Sequence, residues 1–452
     1  MKYSGYAFIY TIGCQMNVYD SEKLASILNS CGFEKTGDMD KADVVVCNTC
    51  SIRHKAEEKA YSFLGRFAGI KKKKPHLITV MAGCVAQQDG EKAFERVPHL
   101  DIVLGTRAFS RFSRHIRSIQ SGQPRIVDIE DSSMIYESPP DSVCFEENKV
   151  SSFVTIMQGC ENFCTYCVVP YVRGKERSRK PENIVEEITF LAGSRIKEVT
   201  LLGQNVNSYG KKEGEISFPK LLKKINDIER IHRIRFATSH PKDLSLDLMH
   251  AIRDLKKVCN HLHLPVQSGA DSVLKKMNRG YTRQQYLEKI IQLKNLCPDI
   301  ALSTDIIVGF PSETIEDFKN TMDLIREVEF DSIFAFAYSN RSSAPAAKFS
   351  DQINEKEKLD RLNLLLQLQE TCTEKKNKVQ IGKVLEILVE GKSLKKHDGF
   401  EQFGKDMEQM TGRSESNKIV HFPSNRVNIG DMVRIRIENA YPHSLWGHPE
   451  FD

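Results

Sequence analysis

Strand-like and helix-like segments alternate in two series along this chain, and such alternation favours parallel α/β architectures. The first series lies within residues 6–120, where helix-like stretches such as SEKLASILNSC separate four apolar runs: YAFIYTIGC, ADVVVCNTC, LITVMAGC and HLDIVLG. The second series starts near Ser151 and contains six runs: FVTIMQGC, EVTLLGQN, IRFATSHP, LHLPVQSG, IALSTDIIVGF and FDSIFAFAYS. The sequence therefore predicts an open parallel α/β domain followed by an incomplete, TIM-like (β/α)6 barrel.

The pattern changes in the last part of the chain. After the charged helix-like segment EKEKLDRLNLLLQLQETCTEKKNK, the short runs VLEILVEG, KIVHF and MVRIRIENA are separated by turns of Gly, Asn and Pro. These runs predict a small antiparallel β-barrel of OB-like size. The polar stretch IEDSSMIYESPPDSV indicates a linker between the first two domains. The predicted domains are residues 4–122, 146–376 and 379–442.

Composition limits the classes of protein and the cellular compartment. The chain has 452 residues, and its net charge of +5 permits a polyanionic partner without requiring one, because 65 basic side chains stand against 60 acidic ones. The N-terminal segment MKYSGYAFIYTIGCQ lacks the apolar region of a signal peptide, and no apolar run approaches membrane-spanning length. We expect a cytoplasmic protein without a membrane segment. Twelve cysteines in a reducing compartment favour metal or redox chemistry over disulfides.

Cys160, Cys164 and Cys167 form a CxxxCxxC run in the loop after the first predicted barrel strand. A 4Fe-4S cluster needs four ligands, so three thiolates leave one iron open. An open iron can bind the amino and carboxylate groups of a small molecule, much as a catalytic zinc keeps one position free of protein. The alternatives are a zinc site, which would need a fourth Cys or His at matching spacing, and three buried thiols.

Cys14, Cys50 and Cys84 each lie at or just past the end of a predicted strand of the first domain. The carboxyl ends of parallel strands share one edge of the sheet, where ligands bind. We therefore predict a second cluster with three protein ligands, although each thiol alone also fits a small buried apolar role. Cys47 would point to the opposite face of its strand from Cys50 and is assigned to packing. The scattered cysteines are assigned to structural roles: Cys31, Cys144, Cys259, Cys297 and Cys372.

With both cysteine sets placed, nearly the whole chain resembles the methylthiotransferase family of radical S-adenosylmethionine enzymes. The matching segments are GCQMNVYDSE, NTCSIRHKAEEK, AGCVAQQ, GCENFCTYCVVPYVRGKERSR, LLGQNVNSY, TSHP, HLPVQSG, MNRGYTRQQY, STDIIVGFP and TGRSESNKIVHF. The resemblance implies an N-terminal domain with an auxiliary cluster, a radical S-adenosylmethionine core and a C-terminal TRAM module. Two segments depart from the family pattern: GFPSET replaces GFPGET, and YSNRSSAPAA replaces YSPRPGTPAA with loss of a Pro and a Gly that favour turns.

Within the family, the loop NFCTYCVVPYVRGKERSR and the segment LLGQNVNSYG are similar to the subgroup that modifies tRNA. The resemblance implies addition of a methylthio group to carbon-2 of N6-isopentenyladenosine next to the anticodon. It also implies two 4Fe-4S clusters, S-adenosylmethionine as radical source and methyl donor, an electron donor such as flavodoxin or ferredoxin, and a sulfur donor. The alternative acceptors are threonylcarbamoyl-adenosine in tRNA and an aspartate of a ribosomal protein. An iron-sulfur electron carrier that only binds RNA is disfavoured, because such a carrier would fill all four iron positions with protein ligands.

The resemblance also implies roles for residues around the first cluster. Tyr166 is expected to offer its backbone to the adenine of the cofactor, with plain packing as the alternative. Gly309 is expected to let the backbone approach the adenosyl group closely. Polar residues near the carboxyl ends of barrel strands are expected to line the cofactor site, although each can instead satisfy backbone groups: Gln204, Asn205, Ser239, His240, Gln267, Ser268 and Asp305.

Contacts with RNA are predicted at two places. Arg173, Arg177 and Arg179 follow the cluster loop and can pair with phosphates, or form a solvated arginine cluster. In the C-terminal module, phosphate and stacking contacts are predicted for Arg413, Lys418, Phe400 and Phe403, with barrel packing as the alternative for the aromatics. From Lys375 onward there are 13 basic and 11 acidic residues, so RNA binding here rests on the resemblance and not on charge.

Overall fold

The first domain is a six-stranded parallel sheet with helices on both faces. The computed structural model describes residues 5–51, 54–131, 149–212, 216–394 and 407–450, with positions 135, 137 and 214. The strands are Gly5–Thr11 (β1), Phe33–Lys35 (β2), Val44–Thr49 (β3), Ile78–Gly83 (β4), Ile102–Leu104 (β5) and Ile126–Asp128 (β6). The helices are Gln15–Ser30 (α1), His54–Gly65 (α2), Phe67–Lys73 (α3), Cys84–Asp89 (α4), Lys92–Arg96 (α5) and Phe112–Gln120 (α6).

The strand order is β2-β1-β3-β4-β5-β6, so the direction of winding reverses between β1 and β3. Every residue of β3 and β4 is buried, which explains their unbroken apolar runs. One face packs against α1 and α6 through Leu28 and Phe112, and the other packs against α2 and α3 through Leu64 and Phe67. In open α/β sheets the reversal point is where ligands bind. The predicted parallel α/β domain is confirmed.

The second domain is a partial barrel of six parallel strands. They are Ser151–Thr155 (β7), Glu198–Leu202 (β10), Arg233–Phe236 (β11), His261–His263 (β12), Ala301–Val308 (β13) and Ser332–Ala337 (β14). A short ribbon within the cysteine loop consists of Met157–Gln158 (β8) and Arg177–Ser178 (β9). The helices are Val169–Val172 (α7), Pro181–Gly193 (α8), Phe218–Asn226 (α9), Leu246–Asp254 (α10), Asp271–Lys276 (α11), Arg283–Leu296 (α12), Ile315–Val328 (α13) and Glu355–Lys378 (α14).

The six strands form two three-stranded sheets that a single parallel bridge, Ile234 to Val258, joins. Alternate residues such as Leu201 and Ile306 pack outward against the helices in the largest core of the described residues. Their neighbours on the strands therefore face the inside of the barrel. The predicted incomplete barrel is confirmed, and each of the six predicted runs forms a strand.

The third domain is a closed five-stranded barrel. Its strands are Val384–Lys392 (β15), Gln409–Ser414 (β16), Ile419–Pro423 (β17), Met432–Ala440 (β18) and Leu445–Pro449 (β19). The order around the barrel is β15-β16-β17-β19-β18, in which only β17 and β19 pair in parallel. The predicted small barrel is confirmed, and β16 and β19 are strands beyond those predicted from the sequence.

The C-terminal barrel docks on the partial barrel through buried basic side chains of β11. Arg233 donates to the carbonyl oxygens of Arg413 and Glu386 at 2.6 and 2.8 Å, and Arg235 donates to those of Ser414 and Glu415 at 2.7 and 2.8 Å. These bonds fix the turn after β16 against the middle domain. Among the helices of the described residues, none combines the length and the apolar character needed to cross a bilayer.

Candidate functional site

The loop with Cys160, Cys164 and Cys167 is closed at its base by the β8/β9 ribbon, where the amide of Cys160 donates to the carbonyl of Gly174 at 3.1 Å. Burial raises the pKa of the Cys167 thiol to about 12, and the two other thiols lie close enough to raise it further. The three thiols therefore lie close together, with Cys164 buried and Cys160 and Cys167 partly exposed. Among the described residues, no three Cys, His, Asp or Glu side chains converge as ligands of a single metal ion.

The segment after α11 holds this loop in place. The buried Arg279 donates to the sulfur of Cys164 at 3.4 Å and to the hydroxyl of Tyr166 at 3.2 Å. The side chain of Asn278 donates to the carbonyls of Asn162 and Phe163, both at 3.1 Å. These two positioning residues were missed from the sequence, although the segment MNRGYTRQQY that contains them was noted.

Cys14, Cys50 and Cys84 meet at the point where the sheet order reverses. Cys14 caps the N-terminus of α1, Cys50 follows β3 and Cys84 begins α4. A hydrogen bond with Cys50 lowers the pKa of Cys14 to about 6, even though burial opposes the shift. Burial raises the pKa of Cys84, and Cys14 lies close enough to raise it further. Cys47 packs in the core on the α2 side of the sheet, as predicted.

Glycines allow the close approach of these thiols. Gly13 has φ +133°, and a Cβ atom there would lie 2.4 Å from the Cβ of Cys50. Only glycine adopts this backbone and leaves this space. Cys84 and Cys160 also follow glycines with positive φ, so the Gly-Cys pair, repeated three times in the sequence, is a signal that sequence reasoning missed.

A buried amide network supports the same set. Asn17 accepts from the Cys14 thiol at 3.2 Å, and its amide donates to the carbonyl of Thr49 at 2.8 Å. Asn48 donates in turn to the backbone carbonyl of Asn17 at 2.9 Å and to Ser21 at 2.9 Å. Both asparagines are fully buried, so the network fixes the loop after β1 against the end of β3.

The two cysteine sets face one another across the boundary between the first two domains. Cys84 packs against Val168, the neighbour of Cys167, and against Ala344. Cys14 packs with Leu202, which ends β10 of the barrel. Burial lowers the pKa of Arg341, while Cys50 lies close enough to oppose that shift. The departing segment YSNRSSAPAA, which holds Arg341 and Ala344, therefore lies beside the N-terminal set.

The prediction of phosphate contact is wrong for Arg173 and Arg179, because both side chains are buried. Arg173 pairs with Asp20 of α1 at 2.7 Å. Arg179 pairs with Glu187 at 2.6 Å and donates to the hydroxyl of Tyr19 at 3.2 Å. Both arginines therefore join the cysteine loop or the barrel to the first domain, and such buried charges are unavailable to an RNA backbone.

Three of the predicted cofactor residues have buried polar atoms without a hydrogen-bond partner among the described residues: Ser239 Oγ, His240 Nε2 and Gln267 Oε1. Burial, with Arg279 and Lys242, lowers the pKa of His240 to about 2, so its ring is neutral near pH 7. Buried polar atoms are normally bonded, so these atoms indicate a site for a polar ligand.

Other predicted residues are engaged within the protein. Gln204 accepts from the amide of Gly159 at 2.6 Å, which ties β10 to the cysteine loop. Asn205 donates to Asp243 at 2.7 Å and accepts from the His240 amide at 3.2 Å, so its side chain stabilises the strand ends. Ser268 is buried beside Thr321 and accepts from the amide of Ala270.

Asp305 and Gly309 lie on and just after β13. Asp305 is partly buried and lies 3.4 Å from the Nε2 of His263, inside the barrel. Gly309 has φ +70°, and a Cβ there would lie 2.4 Å from the Cγ of Lys358. The glycine is therefore required by its backbone and by Lys358, and close approach of a cofactor stays a prediction.

The remaining predicted RNA contacts divide between exposed and engaged residues. Lys418 is bonded to Asp331 at 3.0 Å and to Asn377 at 2.9 Å, so its predicted phosphate contact is wrong: the residue instead docks the C-terminal barrel. Arg177 and Arg413 keep partly exposed side chains beside Asp131 and Glu390, and their role stays a prediction. Phe400, Phe403 and Cys144 lie outside the described residues.

Comparison with known proteins identifies the family to which this chain is similar. Residues 154–325 match the Radical SAM superfamily, residues 6–105 match the Uncharacterized protein family UPF0004, and residues 378–449 match the TRAM domain. The tRNA-2-methylthio-N(6)-dimethylallyladenosine synthase of Desulfosudis oleivorans is 50% identical to this chain, over 97% of the chain and 96% of the relative. Synthases of the same name from Syntrophus aciditrophicus and Clostridium botulinum are 47% and 46% identical, over 97% and 98% of this chain and 93% and 96% of their own lengths.

The chain belongs to the radical S-adenosylmethionine methylthiotransferase family. Solved structures share the fold at low identity. The methyltransferase TsrM of Kitasatospora setae has a TM-score of 0.57 at 12% identity, over 76% of this chain and 75% of that one. The cobalamin-dependent radical enzyme OxsB has a TM-score of 0.52 at 12% identity, over 79% of this chain and 56% of that one.

Members of this methylthiotransferase family use S-adenosylmethionine and two 4Fe-4S clusters, and the residues present in this chain fit such groups. Two separate sets of three cysteines lie close together in the structure, and three thiolates are one ligand short of a complete cluster. Beside the cysteine loop, the unbonded atoms of Ser239, His240 and Gln267 supply polar partners for a small ligand.

Proposed function

We propose that this enzyme adds a methylthio group to carbon-2 of N6-isopentenyladenosine beside the anticodon of tRNA. The observation that carries the proposal is the meeting of two three-cysteine sets at one domain boundary, with Cys84 packed against the residue after Cys167. The names of relatives at 46–50% identity support this acceptor, since the dimethylallyl and isopentenyl groups are the same substituent.

In this proposal Cys160, Cys164 and Cys167 hold the cluster that binds S-adenosylmethionine, and Cys14, Cys50 and Cys84 hold the auxiliary cluster. The bound groups supply a one-electron cleavage that gives a radical able to take hydrogen from an unactivated carbon. Such chemistry is needed because the acceptor carbon carries no acidic proton for a general base.

The protein's own contribution to this reaction is positioning and exclusion of water. Arg279 orients Cys164 and Tyr166, while Ser239, His240 and Gln267 direct polar atoms at the small ligand. His240 is neutral near pH 7, and its Nδ1 atom accepts from the Lys242 amide at 3.3 Å, so its Nε2 atom carries the proton and acts as a hydrogen-bond donor.

The partners follow from the same reaction. We propose the anticodon stem-loop of tRNA as the macromolecular substrate, bound in part by the TRAM domain through Arg413 and by Arg177 beside the cluster loop. The reaction needs an electron donor, such as flavodoxin or ferredoxin, and a source of sulfur. We place the enzyme in the cytoplasm, where its tRNA substrate is found.

The test is anaerobic reconstitution with isopentenylated tRNA, comparing the wild type with Cys14→Ala and Cys160→Ala. We expect Cys160→Ala to abolish release of 5'-deoxyadenosine, and Cys14→Ala to retain that release while transferring no sulfur. Equal loss of cofactor cleavage in both variants would contradict the division of roles between the two sets. Mass spectrometry of tRNA nucleosides from a deletion strain separates the acceptors: loss of methylthiolated threonylcarbamoyl-adenosine alone would favour that alternative.

A further inference from the structure

Arg173 belongs to the cysteine loop, and the proposed reaction leaves its buried charge without a role. It lies six residues after Cys167, at the end of α7, yet its side chain leaves the barrel and enters the first domain. Its backbone carbonyl accepts from Arg107 of the first domain at 2.8 Å, so main chain and side chain both cross the boundary.

The guanidinium of Arg173 is only half satisfied. One terminal nitrogen, Nη2, donates to Asp20 at 2.7 Å, whereas the other, Nη1, is buried without a well-formed hydrogen bond. The guanidinium makes only a weak hydrogen bond to the Cys84 thiol, which acts to lower the pKa of that thiol. Only 3% of the residue is exposed. A buried charged donor with an incomplete hydrogen bond costs free energy, so its presence indicates a stronger acceptor at this site than a neutral thiol.

The surroundings identify that acceptor as sulfur. Val172, the neighbour of Arg173, packs against Cys84, and the charge of Arg173 favours the ionised form of both Cys14 and Cys84. The thiolates of a bound cluster, together with a sulfur ligand on its open iron, would bring negative charge into this buried site. A planar guanidinium can serve a carboxylate and a sulfur anion at once, whereas the single ammonium of a lysine cannot point at both.

We propose that Arg173 is a positioning residue of the auxiliary site, where its Nη1 atom donates a hydrogen bond to the anionic sulfur held by Cys14, Cys50 and Cys84 or by the open iron. This inference rests on the proposed ligand set of the auxiliary cluster. Hydrogen bonds and positive charge near cluster sulfurs stabilise the more reduced, more negative state. Arg173 therefore raises the reduction potential of the auxiliary cluster and slows its loss.

The experiment isolates the auxiliary cluster in the full chain by replacing Cys160, Cys164 and Cys167 with alanine. Two variants are made in this triple-alanine background. Arg173→Lys keeps a cation opposite Asp20. The double change Arg173→Met with Asp20→Leu removes both charges and so leaves no unpaired charge. The matched control is Arg230→Met, an exposed arginine in the loop after α9. The measurements are the midpoint potential from an EPR-monitored redox titration and the rate at which a chelator removes iron, each with and without added sulfide.

We expect both Arg173 variants to titrate at a more negative potential than the control, with the larger shift in the double variant, and to lose iron about 10-fold faster. A shift that appears only with sulfide assigns the hydrogen bond to the exogenous sulfur, and a shift in both conditions assigns it to a thiolate. Potentials and iron-loss rates equal to those of the control would overturn the proposal.

A further variant separates failure of this inference from failure of the ligand set. Cys14→Ala in the same triple-alanine background should bind no stable cluster. If it keeps four irons with wild-type spectra, the ligand assignment is wrong. If it loses them while the Arg173 variants behave as the control, only the role of Arg173 is rejected.

Discussion

At the scale of single residues, the site depends on small or buried residues that leave space for the cysteine thiols or hold them in position. Gly13 leaves room for Cys50, Asn17 and Asn48 fix the loop between them, and Arg279 orients Cys164. None of these residues carries out a chemical step in the proposed reaction. Each instead limits where a thiol can lie, which is the requirement for binding a rigid cluster.

Gly13→Ala is expected to remove the auxiliary cluster selectively. An alanine Cβ would overlap Cys50, and its φ of +133° is strained for any L side chain, so Cys14 and Cys50 would separate. Iron analysis should give four irons per chain in place of eight, with release of 5'-deoxyadenosine retained. Gly193→Ala, where an added Cβ meets no atom within 4 Å, is the control and should keep eight. Full iron content in Gly13→Ala would argue against this geometry.

His240 is expected to make the stability of the protein fall in mild acid. Its native pKa of about 2 lies below the unfolded value of about 6.5. The unfolded chain therefore takes up a proton that the native state does not, and stability is complete above pH 6.5 and falls below it. Between pH 6 and 5, His240→Asn should reduce the slope of the unfolding free energy by about 1.4 kcal/mol per pH unit in urea titrations. The exposed His443→Asn should leave the slope as in the wild type, and an unchanged slope in both variants would contradict a neutral His240.

At the scale of elements, short strands and helices next to the cysteines determine where the thiol groups point. The β8/β9 ribbon closes the loop of the first set, and α4 starts at Cys84 itself. The longer helices behind them begin at capping boxes, Thr282 for α12 and Thr314 for α13. Thr314 is the last residue of the segment GFPSET, so the end of β13 and the start of α13 are joined by a well-defined turn in spite of the glycine replaced there.

Thr314→Ala should destabilise the protein by about 1 kcal/mol, because the hydroxyl accepts from the Asp317 amide at 3.1 Å and no methyl group can replace it. The measurement is the free energy of unfolding in urea. Thr371→Ala on the exposed side of α14 is the control, with an expected change below about 0.5 kcal/mol. Equal effects of the two changes would mean that the cap does not stabilise α13.

At the scale of the whole molecule, charged residues join the three domains. Arg173 and Arg179 link the cysteine loop to Asp20 and Tyr19 of α1, and Arg233, Arg235 and Lys418 link the C-terminal barrel to the middle domain. The four arginines are buried and Lys418 is largely buried, so each needs its partner in place before the interface is stable. The domains therefore form one continuous structure around the cysteine sets.

Lys418→Met should loosen the C-terminal barrel from the partial barrel, because it leaves the largely buried Asp331 without its cation, a change that costs about 2 kcal/mol for a pair that keeps some contact with water. Limited proteolysis in residues 379–383, between α14 and β15, should become faster than in the wild type. Lys392→Met removes an exposed pair with Glu408 and should not alter the cleavage rate. Unchanged proteolysis together with weaker tRNA binding would restore the phosphate role for Lys418.

Much of the fold and the positions of the cysteines could be predicted from the sequence, since strand periodicity and the spacing of cysteines are local properties. The runs ending at Cys14, Cys50 and Cys84 were found because apolar β-branched segments mark buried strands. The strand Phe33–Lys35 was missed, as only three residues form it and two are exposed. That strand places the reversal of the sheet between β1 and β3, beside Cys14 and Cys50.

The sequence by itself determined the order of the three domains and the residues able to bind clusters. The alternation of strands and helices and the spacing of the cysteines both depend on residues that are near one another in the sequence. Only the tertiary structure decided which charges are available to a partner. Arg173, Arg179 and Lys418 look like surface cations in the sequence, yet they bond to Asp20, Tyr19 and Asp331, which are distant along the chain. Such contacts form only when whole domains pack together, and this packing cannot be predicted from the local pattern of residues in the sequence.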